Sequence, residues 1–543
     1  MTRTIYFNGP ILTVDQADSV TEAVLVGKGK ILATGPLAQI EAQAPPDTAR
    51  YDLRGRVMIP AFIDPHGHFP DSGYLGLNRA DLSGPPVGGC ASMAEALERL
   101  REQAANTPPG DWVIGSLFDP TAFAENRLPT RDELDSVSND HPVLVLHFTG
   151  HAGAVNSMGL AARGIGPDTP DPPGAWFGRD PATGALAGSL NGMAAIGELG
   201  DSEFRVSYPD FREAFARAAR EYHAQGVALA QNAWANEKLL SYFLTLGAED
   251  SAEIDCIVLP AAEVEPAYSA GKLNLPPEDA ARRIMIGPRK LFGDGSFHVQ
   301  NACITGPYFR PFNGDPDYRC DPAITKAGMV ARIGPLHAAG YQVHIHCNGD
   351  ATADILLDAF EEVLQTHPRD DHRHTLIHTQ ILREDQLDRM VRLGITASFF
   401  PAHLYYWGDF HRDVTFGPER MQNMCPLRWA ADRGIRLTIH NDAQVTPTRP
   451  LHLMWCAVNR MSHTGTVLGT RQALTPREAL RAHTIDAAWQ VFLDHERGSI
   501  EAGKRADFAI LSANPLDDLT AIRDIKVEET IIAGQSVYRR EGA

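Results

Sequence analysis

Two histidines separated by one glycine, His66-Gly67-His68, end a short apolar run that reads Ile59-Pro60-Ala61-Phe62-Ile63-Asp64-Pro65. Alternate side chains of a strand share a face, so both imidazoles point the same way if extended backbone persists through Gly67. Two imidazoles on one side make a chelate for a transition metal. Further groups of that chemistry stand close behind other strand-like runs. His346 ends Gln342-Val343-His344-Ile345-His346, His378 ends Thr375-Leu376-Ile377-His378, and Asp442 follows Arg436-Leu437-Thr438-Ile439-His440-Asn441. Lys290 opens the turn-rich Lys290-Leu291-Phe292-Gly293-Asp294-Gly295-Ser296. Imidazole and carboxylate donors suit zinc, and a catalytic zinc keeps one position open for water. Bound metal lowers the pKa of that water towards about 7 and polarises a carbonyl. An aspartate beside the water can accept its proton and deliver it to a leaving nitrogen. Singly, each residue has a structural alternative: a core histidine, a lysine paired with Asp294, a helix-capping aspartate. Their coincidence at several strand ends favours the ligand reading.

A scaffold that gathers strand ends is therefore required. Strand-like runs alternate with helical stretches through the middle of the chain, as in parallel βα folds. Eight runs qualify: the one before His66, then 142–147, 226–230, 283–286, 342–346, 375–378, 395–400 and 436–440. Helical patterns at 210–225, 351–366, 383–393 and 476–483 lie between or after them. The simplest account is an α/β chain with a distorted (β/α)8 TIM barrel over 59–489, its chemistry at the C-terminal ends of the strands. Residues 69–141 are too long for one βα connection and read as an insertion over the mouth. The glycine-broken apolar segments of 1–58 match the texture of 490–543, which predicts one composite β-domain built from both chain ends.

Bulk properties narrow the function. The 543 residues are 43% hydrophobic and 22% charged, an ordinary globular balance. A formal charge of −19 without a basic run argues against nucleic acid and anionic membrane as partners. No apolar stretch approaches the ~18 residues of a membrane span, and a cytoplasmic protein acting on a small molecule is expected. Seven cysteines without a CxxC pair suggest neither a disulfide framework nor a thiolate metal site.

The order His-x-His, Lys, His, His, Asp resembles the metal-dependent amidohydrolase superfamily, and the wording of several segments is similar to its YtcJ-like branch, amidohydrolase family 3. The segments are Lys290 to Ser296, His346-Cys347-Asn348-Gly349-Asp350, Gly150-His151-Ala152-Gly153-Ala154-Val155-Asn156-Ser157, Leu480 to Ala488 and Gly498 to Phe508. They span nearly the whole chain. The resemblance implies a distorted barrel joined to a small β-sandwich from both termini, and a homo-oligomer, a dimer being favoured. It implies that His66 and His68 hold one ion, His346 and His378 a second, and that Lys290 bridges them once carboxylated by carbon dioxide. Ordinary lysine has no acceptor lone pair when charged, so the carboxylate is what ligates. Asp442 is implied to be both ligand and proton acceptor. One or two Zn2+ ions are expected, with Mn2+ or Fe2+ as alternatives.

Departures from the branch pattern are visible. Ile377 stands where a glutamate often precedes the histidine, Ala230-Gln231-Asn232 lacks a common aspartate, Thr183-Gly184-Ala185-Leu186 lacks a glutamate, and His440-Asn441 replaces a common Gly-Ser. Placement near strand ends makes His147, His151, His403 and Trp407 the substrate-binding candidates, with Tyr405 and Tyr406 beside them. The expected reaction is hydrolysis of a non-peptide, amide-like C–N bond by metal-bound hydroxide. The alternatives are a heterocycle aminohydrolase, an ester or lactone hydrolase, and, more remotely, a non-catalytic interaction protein. The first of these usually needs His-x-x-Glu, and here Gly349 stands three past His346.

Overall fold

The computed structural model describes residues 3–542 apart from 173, 200–205, 266–282 and 313. Its architecture is mixed α/β. The apolar run before His66, continuous in sequence, serves two sheets. Val57–Pro60 pairs antiparallel with Phe508–Leu511, whereas Phe62–Ile63 pairs parallel with Val227–Ala235. The chain changes sheets at Ala61, whose amide donates to the Asp507 carbonyl at 3.0 Å.

The first of these sheets has eight strands and draws on both chain ends, in the order Gln535–Arg539, Val527–Ile532, Phe508–Leu511, Val57–Pro60, Thr4–Leu12, Val20–Gly27 and Lys30–Gly35, with Ala49–Asp52 beside Thr4–Leu12. Period-two alternation divides its side chains. Met58, Phe508 and Ile510 join Tyr6, Ile11 and Val24 in a core private to the chain ends, while Val57, Ile59, Ala509 and Leu511 face the main core. Two sheets packed through one strand set their register together.

Two parallel sheets carry the chemistry. One runs Ile284–Ile286, Asp255–Pro260, Val227–Ala235, Phe62–Ile63; the other runs Arg289–Phe292, Val343–Cys347, Thr375–His378, Thr396–Phe399, Leu437–Ile439. A parallel bridge between Ala261 and Lys290 joins them on one side. On the other, the His68 amide donates to the Ala443 carbonyl. Helices Tyr208–Ala224, Asp350–Thr366 and Glu384–Leu393 stand close to where periodicity predicts them. Capping fixes the first: Ser207 and Asp210 form a reciprocal box at its N-terminus.

Four expectations are corrected. Residues 142–147 do not join the parallel sheets of His66 and Lys290: Val143–His147 pairs parallel with Val113–Phe118 on one side and turns through Thr149 and Gly150 to pair antiparallel with Ala152–Val155 on the other, a hairpin that a parallel βα repeat does not accommodate. These strands belong to a separate six-stranded sheet reaching Asn191, so the insertion does not end at 141. Lys290 does not open a turn but lies inside strand Arg289–Phe292, whose neighbour register pairs it with His344. Finally, Cys303 and Cys320 form a disulfide, since the intervening loop folds back with the Ile304 amide on the Arg319 carbonyl. Among the described residues, no helix is long and apolar enough to cross a membrane.

Phe508 is fully buried, its ring 5.6 Å from that of Tyr6 at the other end of the chain. Phe508→Ala is expected to cost about 3–5 kcal/mol, read as a lower denaturation midpoint. A midpoint shift of under about 0.5 kcal/mol, the size of an ordinary surface change, would show that the two chain ends are not energetically coupled.

Candidate active site

The strand leading to His66 stops at Ile63, and both histidines stand on the bend that follows. They meet on one side by this bend rather than by pleating. His66 Nε2 lies 3.5 Å and His68 Nε2 3.3 Å from Asp442 Oδ1. Asp64 shapes the bend: its carboxylate accepts the Tyr222 hydroxyl at 3.0 Å and the His66 amide at 3.3 Å. A Cβ on Gly67 would run into that carboxylate. Glycine is thus required between the histidines by close approach, not by its dihedral angles.

The second parallel sheet supplies the other groups in register. His346 pairs with Phe292 and Ile377, and His378, one level further along, with Cys347 and Phe399. The rings of His346 and His378 are 4.5 Å apart, and those of His66 and His378 5.2 Å. One donor atom each of His66, His378 and Asp442 lies within 4.8 Å of the other two. Lys290 Nζ is 3.4 Å from His66 Nε2. His378 at φ +75° and Asp442 at φ +51° hold left-handed backbone, which costs energy for a side-chain-bearing residue and is tolerated where surrounding structure enforces it.

Burial sets the protonation. It holds the imidazoles of His66, His346 and His378 well below the usual range, so each offers a lone pair. The Lys290 amine is pushed down to about 7 by burial, against the pull of Asp442. Burial also pushes Asp442 up, but its pairing with the His68 ring 3.3 Å away wins and holds it at about 2. His66 Nδ1 and Asp442 Oδ1 are buried without a hydrogen-bond partner. Neutral nitrogens and an ionised, unsatisfied carboxylate aimed together are the donor set of a nitrogen–oxygen metal site, and a divalent ion fits it.

The cluster opens into a cavity of about 180 Å³. His68, Lys290, His346, His378 and Asp442 line it, as do His147 and His151 from the insertion sheet. His151 lies 5.4 Å from His346, ring to ring. His403 and Trp407 do not line this cavity. Trp407 faces a neighbouring one and donates its indole N–H to Asp119 at 2.7 Å, and His403 is buried behind it.

Residues 50–538 match the pattern described as the amidohydrolase family. The chain belongs to that family. The N-substituted formamide deformylase of Arthrobacter pascens is 29% identical, over 99% of this chain and 98% of its own length. The putative amidohydrolase YtcJ of Bacillus subtilis (strain 168) is 28% identical over 99% and 100%. An uncharacterized metal-dependent hydrolase from Pyrococcus horikoshii OT3 shares the fold, with a TM-score of 0.74 at 24% identity over 96% and 99% of the two chains.

Several groups that hold this amidohydrolase's cluster in place escaped the motif reading. His378 Nδ1 is 3.0 Å from His440 Nε2, and His440 Nδ1 is 2.8 Å from Ser398 Oγ. The chain His378–His440–Ser398 leaves His378 Nε2 as the free donor. Asp294 accepts the amides of Asn348 and Gly349 and the Thr352 hydroxyl, pinning the turn after His346. The bulky His440 at a position usually small was the visible signal for the first; Asp294 was visible only as part of a shared phrase.

Gly67→Ala is expected to displace Asp64 and with it the bend that aims His66 and His68. Overpacking of this kind costs roughly 1–3 kcal/mol, and purified variant should hold less metal than the parent by elemental analysis. Equal metal content with equal stability would show that the bend tolerates a Cβ.

Proposed function

We propose that the enzyme hydrolyses a non-peptide, amide-like C–N bond of a small molecule, with zinc as the expected ion. The observation that carries the reading is the convergence of His66, His378 and Asp442 at one end of the cavity, with Lys290 and His346 beside them. The scaffold we infer is a (β/α)8 barrel formed by the two parallel sheets, supported by their links at Ala261–Lys290 and His68–Ala443. The terminal sheet is inferred to be the β-sandwich domain of the family.

In this reading His66, His68, His346, His378 and Asp442 hold the metal. Lys290 joins them as a carbamate. Its neutral amine adds to carbon dioxide, forming an N–C bond and losing a proton, and the resulting carboxylate can bridge two ions. A depressed amine makes the nucleophilic form accessible near neutrality. A divalent ion held there supplies Lewis acidity for the attacking water and the substrate carbonyl. Asp442, ionised at working pH, accepts one water proton as oxygen bonds to the carbonyl carbon, and returns it to nitrogen as the C–N bond breaks. The products are a carboxylic acid and an amine. His151, neutral because burial pulls it down to about 4, is placed to donate its N–H to the substrate oxygen.

Leu117, Leu146, Phe148, Trp234 and Tyr242 supply an apolar part of the cavity wall, with Asp71, Arg79 and Lys238 also in the lining. An N-substituted formamide or similar N-acyl amine, with the substituent against this wall, fits both the chemistry and the name of the Arthrobacter relative. The deaminase alternative lacks its acid: position 349 abuts the Cys303 carbonyl, where a Cβ would collide, so no glutamate is accommodated there.

The test is a hydrolysis screen of formamides, N-acyl amines, cyclic amides and esters, with zinc- or manganese-reconstituted protein. Turnover of at least one amide class is expected, and inactivity on all classes despite bound metal would sink the reading. Lys290→Ala is expected to lower metal occupancy from two ions towards one or none, with partial recovery of activity in short-chain carboxylates. Unchanged metal content would make Lys290 a structural residue. Asp442→Asn is expected to lower kcat by about 10²–10⁴-fold, measured at saturating metal; a change of less than about tenfold would remove it from proton transfer.

A further inference from the structure

A second group of imidazoles lies behind the cavity wall. His298 stands in the turn Phe297–Val299 that follows the Lys290 strand, His403 in helix Ala402–Phe410, and His411 at the start of the π-helical turn His411–Phe416. One ring nitrogen of each lies within 4.8 Å of those of the other two. None of the three lines the catalytic cavity. The helix that carries His403 is kinked at Trp407 (φ −129°) before the π-helical turn opens at His411, and the His403 and His411 rings stack with centroids 5.3 Å apart.

The hydrogen bonds in this group leave a nitrogen unused. His403 Nδ1 and His411 Nε2 are 3.0 Å apart, and His411 Nδ1 is 3.1 Å from the Thr415 hydroxyl. His298 Nδ1 has only a long 3.5 Å contact with Ser296 Oγ, and its Nε2 is buried with no partner. Leaving a buried ring nitrogen unpaired opposes folding unless something occupies it. The surroundings are aromatic rather than ionic: His298 packs on Phe148, Trp407 and Phe410, and His403 on Phe400. Burial keeps all three rings neutral, so each has one ring nitrogen without a proton, and a metal seated between them would replace the His403–His411 hydrogen bond.

We propose that His298, His403 and His411 form a second transition-metal site, distinct from the catalytic cluster, that takes Zn2+ or Cu2+ through three imidazole nitrogens. Zinc–nitrogen bonds of about 2.0–2.1 Å in a tetrahedron place the nitrogens roughly 3.3 Å apart. Closing from 4.8 Å needs each ring to move by under about 1 Å, within reach of side-chain rotation. A water completes the fourth position, while the Thr415 hydroxyl on Nδ1 orients the His411 ring from its far side. Imidazole without thiolate suits zinc and copper among available ions. The anion acting on His403 is Asp442, with no carboxylate in the ligand set, so affinity is expected below that of the catalytic cluster. Bound metal would tie the loop after Lys290 to helix Ala402–Phe410, and so fix the Phe148–Trp407 wall that separates two cavities.

The test reads metal rather than activity. Full-length protein carrying His66→Ala and His378→Ala, which disables the catalytic cluster, is equilibrated with micromolar ZnCl2 or CuCl2 and freed of unbound ion. About one equivalent is expected to remain by elemental analysis, and adding His298→Gln or His411→Gln is expected to remove it. Crystals of the unsubstituted protein grown with zinc are expected to show anomalous density between the three rings as well as at the catalytic cluster. Anomalous density confined to the catalytic cluster overturns the proposal, whatever the variants do.

Discussion

The cost of taking polar groups out of water governs this molecule. His66, His346, His378, Lys290 and Asp442 are all buried, and a charge there is expensive unless it is paired. Desolvation therefore discharges His66, His346 and His378 and brings the Lys290 amine down to about 7, while Asp442 keeps its charge beside His68, whose imidazole it holds above the ordinary range against burial. The same term that would destabilise a row of charged groups converts it into a row of lone pairs around one anion. Binding a cation is the reaction such a cluster is poised for, and the unsatisfied Asp442 Oδ1 and His66 Nδ1 are the residue of that poise.

Holding that arrangement takes more residues than form it. Asp64 and Tyr222 set the bend that aims His66, and Gly67 leaves them room. His440 and Ser398 fix which nitrogen of His378 faces inward, as hydrogen-bonded partners of metal ligands commonly do. Asp294 ties down the turn after His346 through three bonds. The left-handed backbone at His378 and Asp442 is strain that these surroundings sustain. Such residues carry no chemistry of their own, and so leave weaker traces in a sequence than the groups they orient.

That difference explains what could be read in advance. The donors announced themselves because imidazole at a strand end is chemically pointed, and most parallel strands because their apolar runs are buried on both faces. Val143–His147 has the same apolar texture yet belongs to a hairpin, since texture records burial and not the direction of the neighbour. Lys290 looked like part of a turn because glycines begin three residues beyond it, at Gly293, although the ladder with Val343–His346 carries the strand to Phe292. His403 and Trp407 were placed by proximity to a strand, which cannot tell a side chain entering the cavity from one packed behind its wall. The His298, His403 and His411 group spans more than a hundred residues and includes a helix kinked at Trp407, which no periodicity announces.

The two halves of the cavity come from different parts of the fold. Lys290, His346 and His378, proposed as ligands, stand on neighbouring parallel strands, where register is shared and a shift of one residue would move all three at once. Much of the rest of the cavity lining, with His147, Phe148 and His151, comes from the six-stranded sheet inserted between the His66 bend and Val227–Ala235, and Trp234 and Tyr242 are added from that strand and the helix after it. Sequence change in that sheet can alter which substituent is accepted without touching the ligand register. Reaction class and substrate are thus specified by separate stretches of chain, the first by residue types that chemistry makes recognisable, the second by the shape of an apolar surface that many sequences can build. A hydrolase of this plan can change substrate while keeping its metal chemistry, because the coupling between the two halves runs through the cavity and not through shared hydrogen-bonded strands.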